Sequence, residues 1–299
     1  MSGFRGAVRG NIPSGAGIWH DSFMTSTLIT VAPTGAETAK ADCPALPTTL
    51  DELVETAKRC EAAGAAMIHI HIRDSEHRPT LDLGRLTETV TAVRENTALI
   101  VQLSTGGAVT DPFDHRLRVL DAAPDSCSLT MGTVNFGDDV FMNPWPFVTE
   151  LYQLTQEREV VPEFELFDLG QVAALGRLLD KYGLPYGGKV HCDLVMGVPG
   201  GMPGTTDALV AAVNGLPAGV TSWSATGVGR TTLPVALAAL SKGGHLRVGM
   251  EDTLTLAKGQ PVTHNAELVE RAATIAALAQ RPPMSPDEAR DLLNIKPRP

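Results

Sequence analysis

Two histidines stand one residue apart in the run Ala66-Met67-Ile68-His69-Ile70-His71-Ile72-Arg73-Asp74. The branched apolar residues between them favour a β-strand, in which successive side chains point to opposite faces. His69 and His71 then project one way, and Ile68, Ile70 and Ile72 the other. A neutral imidazole is the commonest metal ligand, and a pair at this spacing reaches one ion without distorting the strand. Two hydrogen-bonded core histidines would explain the same tripeptide, so other residues have to decide. The natural third ligand is Glu251, in Arg247-Val248-Gly249-Met250-Glu251-Asp252, although a rim salt bridge to Arg247 is the plainer reading of that carboxylate. Two histidines and one glutamate with an open fourth position form a catalytic zinc set rather than a closed structural one, and iron or manganese would accept the same ligands. Asp252 beside them reads as a general base, with Arg247 and Glu165 setting its orientation and protonation. Ser104, Gly106 and Gly107 offer a hydroxyl and closely approaching backbone amides, a cradle for a carboxylate.

These residues are far apart in sequence, so the fold must gather them. From Thr27 onward short β-rich runs alternate with Ala/Leu-rich helical stretches, the signature of parallel βα units. Eight strands are expected, at 28–32, 67–72, 99–104, 126–129, 160–167, 190–195, 222–225 and 245–248. Eight units in order predict an α/β (β/α)8 TIM barrel, whose chemistry sits at the C-terminal ends of the strands. Strand eight then closes beside strand one, which lets Glu251 meet both histidines across the mouth. An open doubly wound sheet also alternates strand and helix, but no Gly-x-Gly-x-x-Gly follows the first strand. The domain reading is an N-terminal extension over residues 1–26 and one barrel over 27–299, with a capping helix that starts at Ser285-Pro286.

Composition bounds the partners. With 34 acidic and 24 basic residues the net charge is -10, which disfavours nucleic acid and anionic membranes. No apolar run is long enough for a transmembrane helix. Cys43, Cys60, Cys127 and Cys192 form no CxxC pair and read as reduced thiols of a cytoplasmic protein.

Six ordered motifs together resemble the β-keto acid cleavage enzymes, nearest to the branch that acts on an amino-substituted keto acid in lysine fermentation. They are Thr34-Gly35-Ala36-Glu37, His69-Ile70-His71-Ile72-Arg73, Gln102-x-Ser104-Thr105-Gly106-Gly107, Pro162-Glu163-x-Glu165, Gly197-Val198-Pro199-Gly200-Gly201 and Gly243-Gly244-His245-x-Arg247-x-Gly249-x-Glu251-Asp252. The resemblance runs from about Thr27 to Leu293. It implies a TIM barrel assembled as a homotetramer, with zinc on His69, His71 and Glu251. The implied reaction takes a β-keto acid and acetyl-CoA to acetoacetate and a new acyl-CoA. From the chemistry of the residues themselves, Asp252 as general base is expected to remove a proton from the acetyl-CoA methyl group, with Arg247 and Glu165 holding Asp252. The resemblance also places Glu37, Ser104, Gly107 and Ser128 at the keto-acid site. Ser128 replaces a threonine there, and Thr130 replaces an asparagine whose contact is thereby in question. Glu37 at the mouth would attract an ammonium group and repel a second carboxylate, which favours a cationic or polar keto acid.

Two rivals follow from the same residues. An amidohydrolase-type metal hydrolase also carries His-x-His on a barrel strand, but on strand one, with further histidines at strands five and six. A non-enzymatic binding barrel would show no turnover and no tightly held metal.

Overall fold

The computed structural model describes residues 26–297. Of the expected N-terminal extension only Ser26 lies within them. Eight parallel strands close a barrel: β1 Ile29–Val31, β2 Met67–Ile70, β3 Ile100–Leu103, β4 Ser126–Thr130, β5 Val161–Leu166, β6 Val190–Met196, β7 Val220–Gly227 and β8 His245–Val248. Each strand bonds to the next and β8 returns to β1, which rules out the open sheet. Helices α1 Leu50–Ala62, α2 Leu83–Asn96, α3 Phe113–Arg118, α4 Trp145–Glu157, α5 Leu169–Tyr182, α6 Thr206–Gly215, α7 Thr232–Ser241 and α8 Asn265–Leu278 occupy the connections.

Alternation along the strands sorts their side chains into two sets. Ile29, Val31, Ile68, Ile70, Val101, Leu103, Phe164, Leu166 and Leu194 join the helices in one buried apolar cluster. The alternate residues Thr30, His69, Gln102, Ser128, Glu163, Glu165, His191, Asp193, Ser224, Thr226 and Arg247 are buried and polar. Branched apolar side chains are the usual filling of such a barrel. A polar filling must satisfy its own hydrogen bonds, because an unpaired buried group costs about 1–3 kcal/mol.

The final helix, α9 Pro286–Leu293, begins as expected: Ser285 Oγ accepts the Glu288 N–H and Pro286 occupies the first turn. With Ile295 it packs on Leu28, Met67, Ile100 and Val161, so it closes the N-terminal end of the barrel and leaves the other end open. The expected continuous strand over 67–72 is interrupted at His71. Ile70 pairs with Leu103, the last residue of β3, and beyond that the partner is lost. Ile72–Arg73 instead forms a rim hairpin with Pro79–Thr80. Strand β7 is longer than expected because β6 offers it partners from Val190 to Met196.

His245 opens β8 as a structural group. Its Nδ1 accepts the Leu28 N–H at 3.0 Å, which ties β8 to the start of β1 and requires a neutral ring. Burial, helped by His191 and Arg281, lowers its pKa from 6.5 to about 3. The unfolded chain therefore binds a proton that the folded one refuses. The associated stability is complete above pH 6.5 and falls as pH drops toward 3. Urea unfolding should lose about 2 kcal/mol from this group between pH 7.5 and 5. His245→Asn, which keeps an acceptor for Leu28, should flatten that slope by about one proton; an unchanged slope would show that His245 is not the group responsible.

Candidate active site

The open end of the barrel holds a cavity of about 380 Å³. His69 reaches it from the middle of β2 and His71 from just beyond that strand. Gln102 Oε1 stands 2.6 Å from His69 Nδ1. An amide oxygen only accepts, so Nδ1 carries the proton and the Nε2 lone pair faces the cavity. Burial, with Arg247, lowers the His69 pKa, and burial leads the same shift in His71, so both rings are neutral. Their Nε2 atoms lie 3.9 Å and 3.6 Å from Glu251 Oε1. One ligand atom from each of the three residues fits within 4.8 Å of the others.

Glu251 is brought there by the turn after β8. Its backbone N–H donates to Ala32 O at the end of β1. Gly35 makes room for the side chain, since a Cβ at that position would stand 2.7 Å from Glu251 Cγ. Burial would raise the Glu251 pKa, but the Arg247 guanidinium, which donates to it, outweighs burial and holds the carboxyl below the usual carboxylate range. Oε1 accepts from Arg247, whereas buried Oε2 has no hydrogen-bond partner. An anionic oxygen left unsatisfied beside two imidazole lone pairs fits a cation-binding role for the triad.

Arg247 is the hub of the site. It is buried, and its guanidinium contacts Glu165 at 3.0 Å, Glu251 at 2.6 Å and Asp252 at 3.2 Å. Burial raises the Asp252 pKa to about 7; Glu251 and Glu165 push the same way and Arg247 opposes them. A carboxylate poised near neutrality can take a proton and return it.

Behind the mouth the polar filling forms a chain. Gln102 Nε2 donates to Glu163 Oε1 at 3.3 Å, Glu163 Oε2 lies 3.3 Å from His191 Nε2, and His191 Nδ1 lies 2.7 Å from Ser222 Oγ. His191 is thus no ligand, but it supports one through two intermediates.

Glu37, Ser104, Gly106, Gly107, Glu165, Arg247 and Asp252 line the cavity with the triad, as their motif positions predict. Burial and Asp139 raise the Glu37 pKa, while Arg73 works against them. Ser128 and Thr130, expected to touch substrate, are not part of this lining. Ser128 Oγ accepts the Thr105 N–H, and Thr130 Oγ1 donates to Glu165 at 2.8 Å, so both hydroxyls serve neighbouring protein groups. Sequence reasoning assigned no role to Gln102, Glu163 or His191, although their alternation with apolar residues marked them as inward-facing. It assigned no role to the side chains of Phe136, Phe141, Phe167, Val195, Val198 and Val228, which also line the cavity.

A closed parallel (β/α)8 barrel with an ionisable cluster at the C-terminal rim defines a TIM-barrel enzyme site. Comparison with known proteins narrows the class. Residues 26–295 match the family model described as beta-keto acid cleavage enzyme, and the chain belongs to that family. It is 36% identical to the 3-keto-5-aminohexanoate cleavage enzyme of Acetoanaerobium sticklandii, over 91% of this chain and 99% of that one. It is 38% identical to the enzyme of the same name from Fusobacterium nucleatum, again over 91% of this chain and 99% of that one. Against the 3-oxoadipate:acetyl-CoA acetyltransferase of Cupriavidus necator it is 32% identical over 90% of this chain and 94% of the relative. The solved structure of apo ObcA, 21% identical, superimposes with a TM-score of 0.74 over 84% of this chain and 66% of its own, which shows the shared fold. The amidohydrolase alternative finds no support: β1 carries no histidine, and His191 lies within the barrel rather than at its catalytic rim.

One guanidinium balances three carboxylates here, so its removal should be costly. Arg247→Met is expected to lower the unfolding free energy by about 3–5 kcal/mol, the range for stranding buried charges. Urea denaturation measures this; a loss under 1 kcal/mol would show that the carboxylates do not depend on Arg247.

Proposed function

We propose that the protein transfers the acetyl group of acetyl-CoA to a β-keto acid fragment, yielding acetoacetate and the CoA thioester of the remaining acyl group. The observation that carries this reading is the convergence of a His69–His71–Glu251 triad and a near-neutral Asp252 on one cavity, in a chain of this family. Zinc is the metal that best suits two neutral imidazoles and one carboxylate. Bound there, a divalent cation would act as a Lewis acid on the keto oxygen and increase the acidity of the adjacent carbon.

The chain's own residues supply the rest. Ser104 and the Gly106-Gly107 turn receive the substrate carboxylate. Asp252 takes a proton from C2, the carbon between the ketone and the carboxylate. The C2 carbanion attacks the acetyl carbonyl of acetyl-CoA, and the C–S bond breaks. The released thiolate adds to the C3 keto carbon, the C2–C3 bond breaks, and C2 recovers the proton from Asp252. In sum, R–CO–CH2–COO⁻ and CH3–CO–S–CoA give CH3–CO–CH2–COO⁻ and R–CO–S–CoA. Proton removal from the acetyl methyl, the order expected from the sequence, cannot reach these products. A methyl carbanion adding to the ketone leaves a branched adduct that never joins an intact acetyl group to the CH2–COO⁻ unit. Arg247 holds Asp252 and Glu251 in place throughout, and Glu165 holds Arg247. Glu37, with Asp139 near it and Arg73 opposing both, would disfavour a second substrate carboxylate placed beside it.

A cytoplasmic setting is supported by four unpaired cysteines.

Zinc-loaded protein incubated with acetyl-CoA and β-keto acids should form acetoacetate and a matching acyl-CoA, read by mass spectrometry. Acetyl-CoA labelled with ¹³C in its methyl should place the label in the methyl of acetoacetate; label in the new acyl-CoA would refute the step order. Asp252→Asn should slow turnover about 10²- to 10⁴-fold with zinc retained. Loss of the Gln102 carbonyl that orients His69, in Gln102→Leu, should weaken zinc binding about 10- to 100-fold in competition with a chelator. Undiminished affinity there would mean that the His69–Gln102 bond does not prepare the ligand.

A further inference from the structure

The cavity has two unlike halves. One holds the triad, Asp252, Ser104 and Glu37. The other is walled by Phe136, Phe141, Phe167, Val195, Val198 and Val228, whose side chains carry no hydrogen-bonding group. These residues come from the segments around and after β4 to β7 and form an apolar cluster separate from the main core. Phe136 meets Phe141 and Phe167 edge to face, each at 6.2 Å between ring centres. Phe141, Phe167, Val195 and Val198 are each no more than 8% exposed. Strand order sets β5, which leads into Phe167, diametrically opposite β1, which leads into Glu37, while the hairpin of Phe136 and Phe141 reaches closer and brings Asp139 near Glu37.

We infer that the keto acid handled at this site carries an uncharged alkyl or aryl tail that lies against this wall. The inference rests on the β-keto acid:acetyl-CoA reaction proposed above and names its substrate class. An ammonium or hydroxyl group placed on the wall would give up its water and find no side-chain partner. The pantetheine arm of CoA, with two amides, would suffer the same loss. An alkyl or phenyl group has no hydrogen bonds to lose and removes apolar surface from water on both sides. Each methylene buried is worth about 0.8 kcal/mol, roughly fourfold in kcat/KM. The expected cationic substrate is therefore replaced by an apolar one, with Glu37 acting to exclude a second carboxylate.

Two measurements test this together. In the first, zinc-loaded protein and acetyl-CoA are given 3-oxoacids with alkyl tails of increasing length, one with a phenyl tail, 3-keto-5-aminohexanoate and 3-oxoadipate. The kcat/KM should rise roughly fourfold per methylene until the wall is covered, and fall at least tenfold for the charged tails relative to alkyl tails of equal length. Val195→Thr, nearly isosteric, should erase several-fold of the alkyl preference, with its melting temperature measured to confirm folding; Phe141→Leu provides a second variant. Charged tails processed as well as alkyl ones would overturn the inference and leave the reaction standing. In the second measurement, hexanoate and 6-aminohexanoate compete for the cavity in ligand-observed NMR. If no keto acid turns over but hexanoate alone binds, the proposed reaction fails and the apolar site stands. No turnover and equal binding of the two would remove both.

Discussion

One buried cation holds the catalytic end of this barrel together. Arg247 projects from the last residues of β8 into a space that also contains Glu165, Glu251 and Asp252. Three carboxylates at that density would repel one another and draw in water or protons. With the guanidinium among them, Glu251 is held ionised and close to both imidazoles, while Asp252 stays near neutrality. The same group thus gives two adjacent carboxyls opposite characters. The difference arises from geometry: Glu251 lies 2.6 Å from the guanidinium, whereas Asp252 lies 3.2 Å from it and sets that contact against burial and two like charges.

Such a cluster needs a rigid frame, and the polar interior of the barrel supplies it. Gln102, Glu163, His191 and Ser222 come from four strands, and each stands within 3.3 Å of the next across the interior. Parallel register delivers them: His69 lies opposite Gln102, Glu163 opposite His191, and Thr226 opposite Arg247. A slip of two residues along any strand would keep its apolar face outward and still break the chain. The hydrogen bonds therefore specify register more finely than hydrophobic burial does. Their chemical product is one imidazole tautomer, with the lone pair of His69 directed at the mouth.

The cavity itself combines two solvents. Its lining sets imidazoles, carboxylates and a guanidinium beside phenylalanine and valine side chains. Relatives of this chain carry names with different keto acids, from 3-keto-5-aminohexanoate to 3-oxoadipate.

Much of this was legible in the chain. Strand periodicity, the order of eight βα units and the Ser285 cap announced the barrel, because they depend on local geometry and burial. The His-x-His pair and Glu251-Asp252 marked an ionisable cluster at the strand ends, and the fold brings ligand atoms of His69, His71 and Glu251 within 4.8 Å of one another. Tertiary structure alone decided what each group does. It turned Thr130 and Ser128 toward protein partners, stopped β2 before His71 where β3 runs out, and joined His191 to His69 through residues that looked like filler. It also gathered six apolar side chains from distant segments into one wall. Phenylalanines and valines read as core in any sequence, and only the closure of the barrel shows which of them face a cavity instead.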